Sequence, residues 1–126
     1  MNLFDKLIRI KGNSKVEEVT EKSMQEDSVL YIAEILYETG ELHYRYSRKM
    51  SSDGTMWIRE GLFEEYYQNG NLASEGLYND GLEDGYWKDY YENGNIAAEG
   101  YYSKGKEIGK WRYYDEQGKV EEEDYN

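Results

Sequence analysis

The side chains that could carry out chemistry are few in this 126-residue chain. It contains one histidine, His43, and no cysteine, so one chain cannot assemble a His-based dyad, a metal site with two His ligands or a metal site with thiolate ligands. Glu64 and Glu75 could form an acid–base pair of carboxylates. The equivalent positions in the repeats described below carry opposite charges, as an ordinary sheet surface would. We therefore expect no catalytic residue, no metal ligand, no cofactor and no enzymatic activity.

A repeat of 24 residues organises the second half of the chain. The stretch Gly85–Ile96 repeats Gly61–Leu72, and a third copy runs from Gly109 to Val120. A fixed period of this length is typical of repeat architectures. A degenerate first copy contains Gly40, which lies 30 residues before Gly70. The six additional residues, around positions 51–55, are expected to lengthen a turn or the strands beside it.

Each copy has the pattern of a β-hairpin: an aromatic-rich strand, an Asn-Gly pair and a second strand. Asn69-Gly70 and Asn93-Gly94 predict type I′ turns, because both central residues of that turn need positive φ, which Asn tolerates and Gly adopts freely. Turns at Gly81 and Gly105 would join one hairpin to the next. The sequence thus predicts an all-β fold, a single antiparallel meander sheet built of repeated β-hairpins.

Counting outward from the Asn-Gly turns predicts which residues lie opposite each other. On one face, the predicted pairs are Tyr67 with Leu72, Glu65 with Ser74, Phe63 with Gly76 and Trp87 with Gly100. In this register each large aromatic ring covers the glycine opposite it, at the place where the strand lacks a side chain. We therefore expect Trp87 to lie over Gly100.

The other predicted face carries charges and a row of tyrosines. Its pairs include Glu64 with Glu75, Lys88 with Glu99 and Arg112 with Glu123. Tyrosine is favoured at interfaces because it offers contact area and a hydroxyl group at a low entropy cost. The alternative is that these tyrosines pack against one another. The predicted partner-binding residues are Glu64, Tyr66, Glu75, Lys88, Tyr90, Glu99, Tyr114 and Glu121.

Residues 1–27 are predicted to form a short capping helix and a polar linker, because Leu3, Phe4, Leu7 and Ile8 would share one side of a helix. The helix would cover an end of the sheet; the alternative is docking to a partner or a membrane surface. The predicted domain of hairpin repeats is 28–126, with repeats at about 33–60, 61–84, 85–108 and 109–126.

Charge limits the classes of partner. The net charge is −12, and residues 59–126 hold 17 acidic and 7 basic side chains. Such a field repels nucleic acids and anionic lipid surfaces and attracts basic proteins. We therefore expect a basic protein partner, no nucleic acid and no membrane. The absence of cysteine and the charges that interrupt the apolar residues of positions 1–10 favour a cytoplasmic location.

The pattern Gly-x-Trp-x-x-Tyr-Tyr-x-Asn-Gly-x-Ile-x-x-Glu-Gly-x-Tyr from Gly85 to Tyr102, echoed from Gly61 to Tyr78, resembles the bacterial variant of the MORN repeat. Over about residues 33–126 the chain is similar to YwqK-type antitoxins. That resemblance implies a MORN-like meander and a non-enzymatic immunity or antitoxin protein that neutralises a cognate toxin. The charge pattern implies that the toxin is basic, for example an enzyme that attacks nucleic acids or nucleotides.

Two other functions are left open. The first is a structural adaptor or scaffold that associates through a sheet edge or the amino-terminal helix, with a homodimer as one form. The second is a hydrolase that uses Glu64 and Glu75, which the charges at the equivalent repeat positions disfavour.

Overall fold

Within the residues that the computed structural model describes, 7–11, 15–16 and 29–126, all regular structure is β-strand. The strands are β1 (Leu7–Lys11), β2 (Lys15–Val16), β3 (Leu30–Leu36), β4 (Leu42–Met50), β5 (Trp57–Tyr66), β6 (Leu72–Asn79), β7 (Leu82–Tyr90), β8 (Ile96–Ser103), β9 (Lys106–Tyr114) and β10 (Val120–Tyr125). Each strand from β3 to β9 pairs antiparallel with the next, so the meander ends at β10. The predicted all-β meander of hairpins is confirmed.

The amino-terminal helix is not found where the structure describes that segment. Leu7 and Ile8 lie in β1, which runs parallel to β3 and pairs them with Leu30 and Tyr31. For these two residues the predicted helix is wrong, whereas residues 1–6 lie outside the described residues. β1 supplies partners to the backbone groups along the edge of β3, which a helix lying over the sheet would leave unpaired.

The Asn-Gly loops do not form the predicted type I′ turns. Tyr67 N donates to Asn71 O (2.8 Å), and Gly70 N donates to Tyr67 O (2.9 Å). Only Gly70 has positive φ in this loop, so the loop is a type I turn that ends in a glycine bulge. The carboxamide of Asn69 accepts a hydrogen bond from Asn71 N (2.8 Å), a local bond that does not require positive φ at Asn69. The equivalent loop from Tyr91 to Asn95 has the same bonds.

The type I′ turns lie instead between successive hairpins. Asp80 and Gly81 both have positive φ, 53° and 91°, and Lys104 and Gly105 have 51° and 83°. In each turn the glycine N–H donates to a carbonyl of an earlier strand, Gly81 to Arg59 and Gly105 to Glu83 (2.9 Å each). These tight turns therefore attach each hairpin to the one before it.

Most of the predicted register is confirmed. Opposite pairs include Phe63 with Gly76, Glu64 with Glu75, Glu65 with Ser74, Trp87 with Gly100 and Lys88 with Glu99. Beside the loop a register shift follows Glu65, so Tyr66 rather than Tyr67 lies opposite Leu72. The glycine bulge in the loop produces this difference.

The register of the last hairpin differs from the prediction. β9 and β10 pair without a register shift, so Arg112 lies opposite Glu122 rather than Glu123. A change of one residue moves every side chain of the strand to the other face of the sheet. Glu121 therefore pairs with Tyr113, and Glu123 with Trp111.

Phe63, Trp87 and Trp111 form the main buried cluster, at 6%, 6% and 3% exposure, and lie on one face of the sheet, the aromatic face. A Cβ added at Gly76 would overlap the Trp87 indole, and one added at Gly100 would overlap that of Trp111. Each indole thus covers a glycine of the preceding hairpin, and the expectation that Trp87 lies over Gly100 is wrong. The shift between β6 and β7 leaves Gly76 without a directly opposite residue, which opens the space for the indole.

Tyrosine hydroxyls also join successive hairpins. They donate from Tyr37 to Tyr66 O (2.7 Å), from Tyr67 to Tyr90 O (2.6 Å) and from Tyr91 to Tyr114 O (2.5 Å). The Tyr37 bond shows that the β3–β4 hairpin follows the same geometry, although its sequence is degenerate. The expected lengthened turn is present from Ser51 to Met56.

Candidate interaction face

A row of charged residues crosses the face of the sheet opposite the aromatic face; we call this side the charged face. One residue from each of β3 to β10 lies directly opposite its neighbours in this row. In order, the row is Glu34, Arg45, Glu64, Glu75, Lys88, Glu99, Arg112 and Glu122. The row follows from the two-residue periodicity of strands together with the repeat spacing.

Opposite charges alternate along this row except at one place. Arg45 Nε lies 3.0 Å from Glu34 Oε2, and Arg112 Nε lies 3.2 Å from Glu122 Oε2. Lys88 has a glutamate opposite it on each neighbouring strand. Glu64 and Glu75, however, lie directly opposite each other. Like charges in this position repel, and no cation of the row lies between these two carboxylates.

Tyrosine hydroxyls hold the carboxylates of the row in place. Tyr66 donates to Glu64 Oε1 (3.0 Å), Tyr90 to Glu75 Oε2 (2.5 Å) and Tyr114 to Glu99 Oε2 (2.6 Å). These three tyrosines are spaced 24 residues apart. The bonds of Tyr90 and Tyr114 are equivalent, because each reaches a glutamate of the preceding hairpin, whereas Tyr66 bonds to a glutamate of its own strand. Each carboxylate keeps further acceptor capacity for a ligand.

The pKa values reflect these contacts. Burial and then the hydrogen bond to Glu75 raise the pKa of Tyr90 above its ordinary value. Burial and a hydrogen bond to Glu99 raise the pKa of Tyr86 to about 12. The hydroxyls of Tyr114 and Tyr86 lower the pKa of Glu99, because they stabilise its ionised form. At neutral pH these tyrosines are therefore protonated donors, and Glu99 is an anion.

The structure brings together seven of the eight predicted partner-binding residues. Glu64, Tyr66, Glu75, Lys88, Tyr90, Glu99 and Tyr114 lie on the charged face. Glu121 does not, because it pairs with Tyr113 on the aromatic face. Its predicted position was wrong because the counting assumed that the last hairpin has the same register as the two before it. Tyr66, Tyr90 and Tyr114, which bond to carboxylates of the row, are half-buried, so each combines a packing contact with an accessible edge.

An apolar strip on the same face was not among the predicted site residues. It runs beside the charged row, and three of its pairs are directly opposite: Leu62 with Leu77, Tyr86 with Tyr101, and Tyr101 with Ile108. Leu77 is 51% exposed and Tyr101 54%. The rings of Tyr86 and Tyr101 meet edge to face at 4.9 Å. The sequence signal was an apolar residue two positions before the charged residue in β5 and β7, and two positions after it in β6 and β8. Strand alternation places these residues on the charged face.

Two kinds of feature are absent from the described part of the chain. No group of three His, Cys, Asp or Glu side chains there is arranged to hold a metal ion. No helix among those residues is long and apolar enough to cross a membrane.

The fold and this face define a protein of repeated β-hairpins with a charged, tyrosine-rich surface. A family model described as MORN repeat variant matches residues 59–80, 83–104 and 107–125. The three segments correspond to the hairpins β5–β6, β7–β8 and β9–β10 and cover half of the chain. The chain therefore belongs to the MORN repeat variant family. No curated protein and no solved structure matches it.

Proposed function

We propose that the protein binds another protein through its charged face, and that this partner is a basic toxin whose activity it neutralises in the cytoplasm. The observation that carries the proposal is that three tyrosine hydroxyls of the charged face each orient a carboxylate, two of them through equivalent bonds between successive hairpins. In this proposal the chain acts as an immunity protein or antitoxin and not as an enzyme.

Oriented carboxylates favour binding because less side-chain freedom is lost when the partner arrives. The net charge of −12 would draw a positively charged partner toward the sheet, which raises the rate of association. The exposed apolar strip beside the charged row would supply contact area that excludes water. A toxin that acts on nucleic acids or nucleotides has a basic cleft, and an acidic sheet would cover such a cleft.

The alternative is a structural adaptor or scaffold. The exposed apolar strip favours it equally, because such a strip suits any stable protein contact, including a second copy of this chain. The two proposals differ in what loss of binding does to the cell: only the antitoxin proposal links binding to survival.

The experiment is co-expression with the product of the adjacent open reading frame. Cells that express that product alone should stop growing, and this protein should restore growth. A double variant, Glu75→Gln with Glu99→Gln, keeps acceptors for Tyr90 and Tyr114 but removes two charges from the face. We expect it to weaken binding of the purified partner at least tenfold, since hydrogen bonds to charged groups contribute about 1.5–3 kcal/mol each.

The matched control is Glu121→Gln with Glu123→Gln, which removes the same charge from the aromatic face. It should leave binding within about twofold of the original, which is about 0.4 kcal/mol. Equal weakening in both variants would mean that only overall charge matters. If growth is restored and neither variant changes the affinity for the partner, the binding site lies elsewhere. If this protein does not restore growth, the antitoxin proposal is contradicted.

A further inference from the structure

A shallow groove opens on the charged face at the point where the alternation of charge is interrupted. Leu62, Leu77 and Tyr86 line it from the apolar strip, and Glu64, Glu75 and Lys88 line it from the charged row. Its volume is about 370 Å³. The floor is the backbone around Gly76. The groove thus combines apolar walls with two adjacent carboxylates.

The two nearest cations of the row are engaged on the outer sides of this pair. Arg45 bonds to Glu34 through Nε at 3.0 Å, and its Nη1 is 3.8 Å from Glu64 Oε1. Lys88 Nζ lies over the Tyr86 ring, 5.8 Å from its centroid. The order of charges is therefore cation, Glu64, Glu75, cation, and a further cation between the two glutamates would restore the alternation along the sheet.

We infer that this groove takes a single arginine side chain of the partner protein. Its aliphatic stem would lie against Leu62 and Leu77, and its guanidinium would bridge Glu64 and Glu75. Arginine fits better than lysine because its planar group presents five donors and can bond two carboxylates at once, and because it is more weakly hydrated. The inference rests on the proposed function, since it names the chemical group by which the charged face would recognise its partner.

The probe is N-acetyl-L-arginine amide, titrated into the full-length protein while backbone amide signals are followed by NMR. Saturable shifts should centre on residues 62–64 and 75–77, which line the groove. The citrulline analogue has nearly the same shape without the charge, and it should produce no saturable shift. The lysine analogue should bind several-fold more weakly.

Glu75→Gln keeps an acceptor for the Tyr90 hydroxyl and removes one groove charge, so it should weaken arginine amide binding about tenfold. Glu123→Gln is the matched control, because it removes one charge from the opposite face, and affinity should stay within about twofold. Shifts that spread along β10, or an equal loss in both variants, would show diffuse attraction to acidic residues and overturn the inference. Equal affinity for the lysine analogue would overturn the assignment to arginine.

This test distinguishes failure of the proposed arginine site from failure of the proposed antitoxin role. If arginine amide binds in the groove and co-expression does not restore growth, the arginine site stands and the antitoxin role fails. If growth is restored and no probe saturates, the antitoxin role stands and the inference about the groove is wrong.

Discussion

Substitution of Gly100 by alanine is expected to destabilise the protein strongly. The backbone of Gly100 does not have positive φ, so alanine could adopt its conformation. By itself that change would stabilise a strand by about 0.4–1 kcal/mol, because it restricts the unfolded chain. The added Cβ would, however, overlap the indole of Trp111.

The indole has little freedom to give way. Trp111 is 3% exposed, its Nε1 donates to Tyr101 O at 3.0 Å, and its ring meets that of Tyr102 at 5.1 Å. If the ring leaves its place, the loss approaches that of deleting a buried aromatic side chain, about 3–5 kcal/mol. We therefore expect Gly100→Ala to lower the free energy of unfolding by about 3 kcal/mol or more, which is a large part of the stability of a small domain.

Urea unfolding of a double-mutant cycle tests this reasoning. In a Trp111→Leu background the ring is gone, so Gly100→Ala should cost nothing or stabilise by up to about 1 kcal/mol. The sign of the alanine effect thus changes with the residue at position 111. Equal destabilisation in both backgrounds would mean that the cost comes from the strand itself, and that the overlap with the indole is not its cause.

Three further predictions concern hydroxyls and backbone. Tyr91→Phe removes the hydrogen bond to Tyr114 O and should cost about 1–2 kcal/mol in urea unfolding, whereas Tyr101→Phe, at an exposed ring, should cost less than about 0.5 kcal/mol. Lys104→Asn should stabilise by a few tenths of a kcal/mol, measured by thermal unfolding, because Lys104 has φ of 51° and Asn tolerates that region better. The pKa of Tyr86 is raised from 10.0 to about 12 in the folded protein. Between pH 10 and pH 12 the unfolded chain therefore loses the Tyr86 hydroxyl proton more readily than the folded protein, and the free energy of unfolding falls as the pH rises. The urea midpoint of the Tyr86→Phe variant should fall less steeply over that range than the midpoint of the original protein.

Much of the fold could be predicted because its signals are local. The 24-residue period, the alternating aromatic residues and the Gly-containing turns are each read from a few neighbouring positions, and together they define hairpins in a meander. Counting from the turns then put Glu64 opposite Glu75 and Lys88 opposite Glu99, as observed. Most of the charged face followed from that count.

The errors share a cause in contacts between hairpins. The loop at Asn69-Gly70 is not the expected type I′ turn; such a turn lies instead at Asp80-Gly81, where Gly81 bonds to Arg59 in an earlier strand. One missing register shift in the last hairpin moved Glu121 to the aromatic face. None of these features is encoded by the spacing within one repeat.

Sequence by itself therefore determined the repeat, the hairpins and the alternation that separates aromatic from charged residues, because strand periodicity acts over neighbouring residues. Tertiary structure alone decided that Trp111 covers Gly100 of the preceding hairpin and that an apolar groove lies beside Glu64 and Glu75. The physical reason is that these arrangements depend on how adjacent hairpins shift in register against each other, which backbone hydrogen bonds and ring packing settle only when the whole sheet has formed.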